Sequence, residues 1–146
     1  MAKAALFTVR DADYAADLPM LRAIRETVFV NEQQVPLVLE WDALDQDCWH
    51  VLALDAQKHP IGTGRLTPQC SIGRMAVVAE WRGKGVGDAL LRRLIALATA
   101  KAWPEISLHA QLGAIDFYRK HGFKAYGPEY QEAGIAHQSM RLNLKG

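Results

Sequence analysis

A glycine-rich turn between an apolar strand and a helix constrains this chain's fold more than any other feature. Residues 71–97 read SIGRMAVVAEWRGKGVGDALLRRLIAL, and apolar residues recur on one helical face after Gly85. That period predicts a helix beginning at the turn. A helix start offers free backbone N–H groups at the positive end of the helix dipole, where phosphate or pyrophosphate is favoured. The alternative is a turn that binds nothing, although glycine at a helix start is destabilising without a ligand close to it.

The order of the predicted elements indicates α+β or mixed α/β architecture around one sheet. Strands are predicted over 4–9, 49–54, 61–66, 72–78, 106–110, 123–126 and 138–144. Helices are predicted from Asp17 to Val30, from Gly85 to the residues before Pro104, and over 114–121. Asp17 is expected to cap the first helix, with Pro19 in its first turn. Three consecutive strands flanked by helices favour one central sheet, and we expect a single domain over residues 1–146.

Composition narrows the classes of partner. The 146 residues carry a net charge of +1, which predicts neither a nucleic-acid-binding nor a membrane-seeking surface. No apolar run approaches the roughly 18 residues that span a bilayer, and no secretory signal is visible. Cys48 and Cys70 form no C-x-x-C pair, and no metal site is expected. These features are typical of a cytoplasmic protein with reduced cysteines.

Two familiar phosphate-binding patterns do not fit the turn. A P-loop requires G-x-x-x-x-G-K-[ST], which the sequence lacks. A dinucleotide fingerprint, G-x-G-x-x-G, fails at Leu90 when read from Gly85 and at Asp88 when read from Gly83. The turn therefore calls for another phosphorylated ligand.

The turn resembles the pyrophosphate-binding motif of the GNAT superfamily of acyl-CoA-dependent N-acyltransferases. The matching residues are Arg82-Gly83-Lys84-Gly85-Val86-Gly87. The segment from Ala114 to Phe123, with the spacing A-x-x-F-Y-x-x-x-G-F, resembles the motif that follows the fifth strand of that family. Segments 25–33, 40–45, 108–111 and 134–140 look like the ElaA-type branch. The resemblance covers nearly the whole chain and implies a GNAT-like fold, with a mostly antiparallel sheet of six to seven strands and helices on both faces.

The resemblance implies that acetyl-CoA is the co-substrate. Backbone amides of the turn would face the pyrophosphate, with the charges of Arg82 and Lys84 nearby. Pantetheine would run beside the strand, where the family has a bulge that re-aims backbone groups. The residues assigned to acyl-CoA in this way are Met75, Ala76, Val77, Arg82, Gly83, Lys84, Gly85, Val86, Gly87, Gln111, Ala114 and Phe117.

Two residues are expected to act in catalysis. The resemblance places an N–H near Val77 at the thioester carbonyl, as an oxyanion donor, and Tyr118 near the sulfur. A phenol has a reference pKa of about 10, close to that of a thiol, so proton transfer from Tyr118 to a thiolate is nearly balanced. The alternative is that Tyr118 only packs in the core or against pantetheine.

The acceptor end of the reaction is less defined. We expect a primary amine on a small molecule or a peptide, with a non-catalytic acyl-CoA sensor as the alternative function. Acidic residues between 31 and 47 either attract a cationic amine or form a solvated loop. Edge strands that pair between chains make a homodimer a further hypothesis. Residues considered for acceptor binding are Glu32, Glu40, Asp45, His50 and His137, and those considered as general base also include Glu26 and His109.

Overall fold

The computed structural model describes residues 6–35 and 45–145. The strands are β1 (Phe7–Ala12), β2 (Trp49–Asp55), β3 (Pro60–Thr67), β4 (Ser71–Val77), β5 (Glu105–Gln111), β6 (Lys124–Ala125), β7 (Tyr130–Glu132) and β8 (Ile135–Asn143). The α-helices are α1 (Tyr14–Arg25), α2 (Val86–Ala100) and α3 (Ile115–Lys120). A π-helical segment (Glu26–Glu32) continues α1, and short 3-10 turns lie at Asp45–Asp47, Ala79–Trp81 and Leu112–Ala114.

One mixed sheet holds all the described strands, in the order β1-β2-β3-β4-β5-β8-β6, with β7 paired to β8 beyond that path. Neighbouring strands run antiparallel except β4 and β5, which are parallel. The predicted mixed, mostly antiparallel class is therefore confirmed. The sheet has eight strands in the described residues rather than six to seven, because β7 forms between the last two predicted strands.

Helices cover both faces of the sheet, as predicted. Strand β2 carries apolar residues on each of its two faces, and each face packs against a different helical layer. Val51 and Ala53 pack with Leu90, Leu91 and Leu94 of α2. On the other face, Leu52 and Leu54 pack with Leu21 and Ile24 of α1 and with Val28 of the π-helical segment. Successive strand residues point to opposite faces, so an unbroken apolar run serves two cores. In residues 6–35 and 45–145 no helix has the length and apolarity needed to cross a membrane.

The first helix begins earlier than predicted. Asp13 caps it, because its side chain accepts from the backbone N–H groups of Ala15 and Ala16. Asp17 lies within the first turn and instead pairs with Arg10, whose hydrogen bonds lower the pKa of the Asp17 carboxyl. The helix reaches beyond Val30 through the π-helical segment, whose Glu32 and the following Gln33 lie next to the site described below.

Candidate active site

The two parallel strands at the centre of the sheet separate and leave a cavity. β4 and β5 are paired only at Ser71–Ser107 and Ile72–Leu108. The cavity that begins beyond these pairs has a volume of about 660 Å³ and is lined by β4, β5, β8, the π-helical segment and α3. Nine residues predicted for the site line it together, namely Met75, Ala76, Val77, Arg82, His109, Gln111, Ala114, Tyr118 and His137.

β4 carries the bulge that the family resemblance implied. Its pairing with β3 moves from Arg65–Gly73 to Thr63–Ala76, which leaves one additional residue on β4, and Arg74 has a φ of +52°. Beyond the bulge, Val78 donates its N–H to the Ile61 carbonyl at 3.0 Å. Amides of successive residues in an antiparallel pair point to opposite sides of the strand, so the Val77 amide points away from β3, towards the separated β5.

The glycine-rich turn leaves backbone amides and open space at the start of α2. Gly83 and Gly85 have φ values of +75° and +89°, a region that favours glycine. A Cβ at either position would meet no described atom within 4 Å. The first intrahelical bond of α2 runs from Ala89 N–H to the Gly85 carbonyl, so the preceding N–H groups have no partner in the helix. A group with phosphate-like chemistry fits this cradle.

A second cavity, of about 490 Å³, continues from β4 to this turn. At its floor, Gly87 lies so close to α3 that a Cβ would be 3.4 Å from the ring of Phe117. The two cavities share lining residues, so together they extend from the turn to the separated strands. The shared residues are Met75, Ala76, Val77, Arg82, Ala114 and Tyr118.

The Arg82 side chain points towards Glu32, although its charge was expected near the pyrophosphate. Its guanidinium donates to both carboxylate oxygens of Glu32 at 2.6 and 2.7 Å, and its Nε donates to the Val77 carbonyl at 2.9 Å. These hydrogen bonds lower the pKa of Glu32. The side chain thus joins the π-helical segment to β4 instead of extending over the glycines, whereas Lys84 is exposed on the turn.

Tyr118 lies in the wall between the two cavities. Its ring makes edge contacts with Phe117 and Phe123, at centroid distances of 5.0 and 5.9 Å. Burial raises the pKa of its phenol to about 12. Among the described residues the hydroxyl has no hydrogen-bond partner, so it is a proton donor that a bound molecule can engage.

Several polar side chains lie on the side of the large cavity opposite Tyr118. Gln111 exchanges two amide hydrogen bonds with Gln33, of 2.9 and 3.3 Å, and therefore does not point freely towards a pantetheine chain. His137 is paired with Gln111 across β5 and β8, and its Nδ1 is 2.7 Å from the Ile135 carbonyl oxygen. Tyr130 stacks on His137 and shares a hydrogen bond with His109 through its hydroxyl.

Other predicted acceptor residues lie outside this cavity's lining. Asp45 is buried and accepts from Arg25 at 3.0 Å and from Arg65 at 2.8 Å. His50 is also buried, donates from Nε2 to the Asp45 carbonyl at 2.8 Å, and has its pKa lowered by burial. The acidic side chain at 45 thus serves an internal ion-pair cluster, and His50 is a hydrogen-bonded core histidine. Glu40 lies outside the described residues.

Among the residues that were not predicted for the site are Gln33, the partner of Gln111, and Tyr130, whose ring stacks on His137. A signal for Tyr130 was present in the sequence. Ala133 and Gly134 both have positive φ values, +54° and +78°, as in the two-residue turn of a hairpin. The β7–β8 hairpin that carries Tyr130 could have been found from Gly134 and the residues on either side of it.

Within residues 6–35 and 45–145 no cluster of His, Cys, Asp or Glu that could hold a metal is found.

Comparison with known proteins identifies close similarity over most of the chain. A family model described as an acetyltransferase (GNAT) domain matches residues 19–144. The N-acetyltransferase YjcF of Bacillus subtilis, itself uncharacterised, is 36% identical over 121 residues, covering 80% of this chain and 86% of that protein. Two crystal structures superpose closely. An acyl-CoA N-acyltransferase from Pseudomonas aeruginosa has a TM-score of 0.80 at 29% identity, covering 93% of this chain and 99% of its own. Escherichia coli ElaA has a TM-score of 0.83 at 26% identity, covering 94% and 99%.

Proposed function

Because this chain belongs to the GNAT acetyltransferase family, we propose that it transfers an acetyl group from acetyl-CoA to a primary amine. The observation that carries the proposal is the continuous path from the glycine turn to the separated strands. Its three parts are an anion cradle at Gly83–Gly87, an amide at Val77 directed into the strand separation, and the buried phenol of Tyr118 in the wall. Each part matches one requirement of acyl transfer from a thioester.

Binding of acetyl-CoA would use backbone more than side chains. Amides of the turn and of the first turn of α2 would hold the pyrophosphate, supported by the helix dipole. Pantetheine would follow β4 along Met75, Ala76 and Val77, with Ala114 and Phe117 on its other side. Arg82 would act indirectly, by fixing the π-helical segment to β4 through Glu32.

The chemistry has two demands at the acetyl group. The carbonyl oxygen becomes negative as the amine adds, and an N–H donor such as that of Val77 stabilises that charge. The departing sulfur needs a proton, which Tyr118 would supply. With a pKa raised to about 12, the phenol keeps its proton through the neutral and mildly alkaline range, so the protonated form that a general acid needs is the one present.

We propose that the acceptor is an amine on a small molecule or a peptide. We also propose that residues 1–146 form one catalytic domain. Support for one domain comes from the family match over 19–144 and from the single sheet. A cytoplasmic location and a homodimer remain predictions. Asp45 and Glu32 are both paired with arginines, so neither of these two carboxylates is placed to draw in a cationic acceptor.

The proposal is tested by incubating the protein with acetyl-CoA and a panel of amines. The panel consists of spermidine, ethanolamine, tyramine, L-lysine, L-glutamate and a peptide with a free N-terminus. Release of the CoA thiol and gain of one acetyl group by mass spectrometry are the readouts. We expect at least one acceptor to be turned over at a rate on the order of 1–10 s⁻¹.

Ligand binding separates the competing outcomes of this experiment. Calorimetric binding of acetyl-CoA without turnover of any amine would support the sensor function. Binding of NAD or ATP in place of acetyl-CoA would overturn both.

A further inference from the structure

The cavity reaches both faces of the sheet, and different chemistry lies on each. Leu108 and Ala110 of β5 pack in the core beneath α2, together with Tyr118. His109 and Gln111 alternate with them and so belong to the opposite face, the side covered by α1 and the π-helical segment. His137 is directly opposite Gln111 across the β5–β8 pair and shares that face. The proton donor proposed for the sulfur and the imidazole of His137 therefore approach the cavity from opposite sides.

The hydrogen bonds of His137 define where its lone pair lies. Its Nδ1 is 2.7 Å from the Ile135 carbonyl oxygen, which can only accept, so Nδ1 carries the proton. Nε2 of the neutral ring is then an unprotonated acceptor. Nε2 has no partner in residues 6–35 or 45–145, and the residue lines the cavity although it is only 7% exposed. The ring thus presents a basic nitrogen to the cavity.

Tyr130 holds the ring in this orientation. The two rings are stacked with an interplanar angle of 25° and centroids 5.9 Å apart. The Tyr130 hydroxyl is in turn held by the His109 imidazole. With Nδ1 fixed to the backbone on one side and Tyr130 against its face, the His137 imidazole has little freedom to turn.

We propose that His137 is the general base that deprotonates the acceptor amine, an inference that rests on the proposed acetyltransferase function. Primary amines are mostly ammonium ions at neutral pH. Nε2 takes one proton from the ammonium group and passes it to solvent. The free amine attacks the thioester carbon, the N–C bond forms and the C–S bond breaks. Sulfur takes the Tyr118 proton, and the second proton of the nitrogen restores Tyr118, giving amide, CoA thiol and one proton.

Glu32, Asp45 and His109, which were also considered as the base, are engaged by other groups. Glu32 is paired with Arg82, and Asp45 with two arginines. Nδ1 of His109 shares the Tyr130 hydroxyl bond, and the side chain is exposed at the cavity's edge. The charged or titratable residues that line the cavity with His137 or lie against its ring are Arg65, Arg74, Arg82, His109, Tyr118, Tyr130 and Glu132.

The test compares His137→Gln with wild type, using the panel amine with the highest kcat/KM, between pH 5.5 and 9.5. We expect wild-type kcat/KM to fall on the acidic side, because protonation of the base removes the lone pair that accepts the amine proton. In His137→Gln, kcat/KM at pH 7 should be about 10²-fold lower. It should rise steadily with pH as the free amine becomes abundant, while the Kd for acetyl-CoA changes less than threefold. His59→Gln, on the exposed β2–β3 turn, is the matched control and should follow wild type.

The outcomes separate the two proposals. A wild type that turns over no amine overturns the acetyltransferase function and this inference together. A working wild type with a His137→Gln variant of unchanged rate and pH profile overturns only the base assignment. A readout without turnover is ¹⁵N NMR of the imidazole, which should show an Nδ1–H tautomer at pH 8. The Nε2–H tautomer would contradict the assignment.

Discussion

Tyr118 is a buried phenol whose one polar atom faces a cavity. Burial raises its pKa to about 12, because the phenolate would lose hydration that the core cannot replace. The ring packs between Phe117 and Phe123, so removing the hydroxyl leaves the aromatic contacts in place. The proton and the packing of this side chain can therefore be tested separately.

Tyr118→Phe is expected to lower kcat about 10²-fold, which is the range for loss of a general acid. The Kd of acetyl-CoA should change less than threefold, since the hydroxyl is the one group removed. Steady-state kinetics and calorimetry measure the two quantities. Tyr126→Phe is the matched control, because Tyr126 is 39% exposed and lies outside both cavities. Equal kcat for Tyr118→Phe and wild type would exclude Tyr118 as the acid.

Short sequence patterns predict single residues well when the residue acts through its neighbours in the chain. The positive-φ glycines of the turn are of this kind, since they depend on local backbone geometry. Arg82 is not, because its partner Glu32 is 50 residues away and comes close only after α1 and β4 pack. For the same reason, the contact between Gln33 and Gln111, which are 78 residues apart in the sequence, could not be predicted.

At the scale of elements, the junction between β4 and α2 combines a bulged strand with a left-handed helix cap. Gly85 is the cap residue, with φ +89° and ψ 2°, and nothing described lies within 4 Å of the Cβ it lacks. An alanine there would carry a backbone strain of about 1–2 kcal/mol and would put a methyl group into the open cradle. The backbone strain lowers the stability of the fold, whereas the methyl group obstructs ligand binding at the turn.

Gly85→Ala is expected to weaken acetyl-CoA binding at least about tenfold, roughly 1.4 kcal/mol of binding free energy, through contact with the pyrophosphate. Gly127→Ala is the matched control, because Gly127 also has a positive φ, of +73°, and equally open surroundings on a distant loop. Both variants should lose similar stability in urea unfolding, and Gly127→Ala should bind acetyl-CoA normally. Normal binding by Gly85→Ala would contradict a pyrophosphate site at this turn.

Elements with a clear period are predicted from the sequence, and those set by tertiary contacts are not. The strands of the β2–β3–β4 meander and the start of the helix after Gly85 form within one residue of where the apolar spacing puts them. The π-helical continuation of α1 has no comparable sequence signal. Its seven residues widen the helix where Val28 packs in the core and Glu32 pairs with Arg82, so long-range contacts select this geometry.

At the scale of the whole molecule, a buried ion-pair cluster links segments that are far apart in the sequence. Asp45, in a 3-10 turn, accepts from Arg25 at the end of α1 and from Arg65 in β3, and all three side chains are at most 7% exposed. The His50 ring donates to the backbone carbonyl of the same aspartate. The cluster therefore fixes the end of α1 relative to β3, a strand that borders the cavity.

Asp45→Asn removes the carboxylate that two buried guanidinium groups contact, while keeping the size of the side chain. Breaking a buried pair leaves charge without compensation, and we expect the free energy of unfolding to fall by about 3–5 kcal/mol. Asp47→Asn is the matched control, because Asp47 is exposed in the same turn, and its effect should stay within about 0.5 kcal/mol. Urea unfolding followed by tryptophan fluorescence measures both. An unfolding midpoint for Asp45→Asn equal to that of wild type would show that the cluster is not structural, and would return Asp45 to the set of acceptor-binding residues.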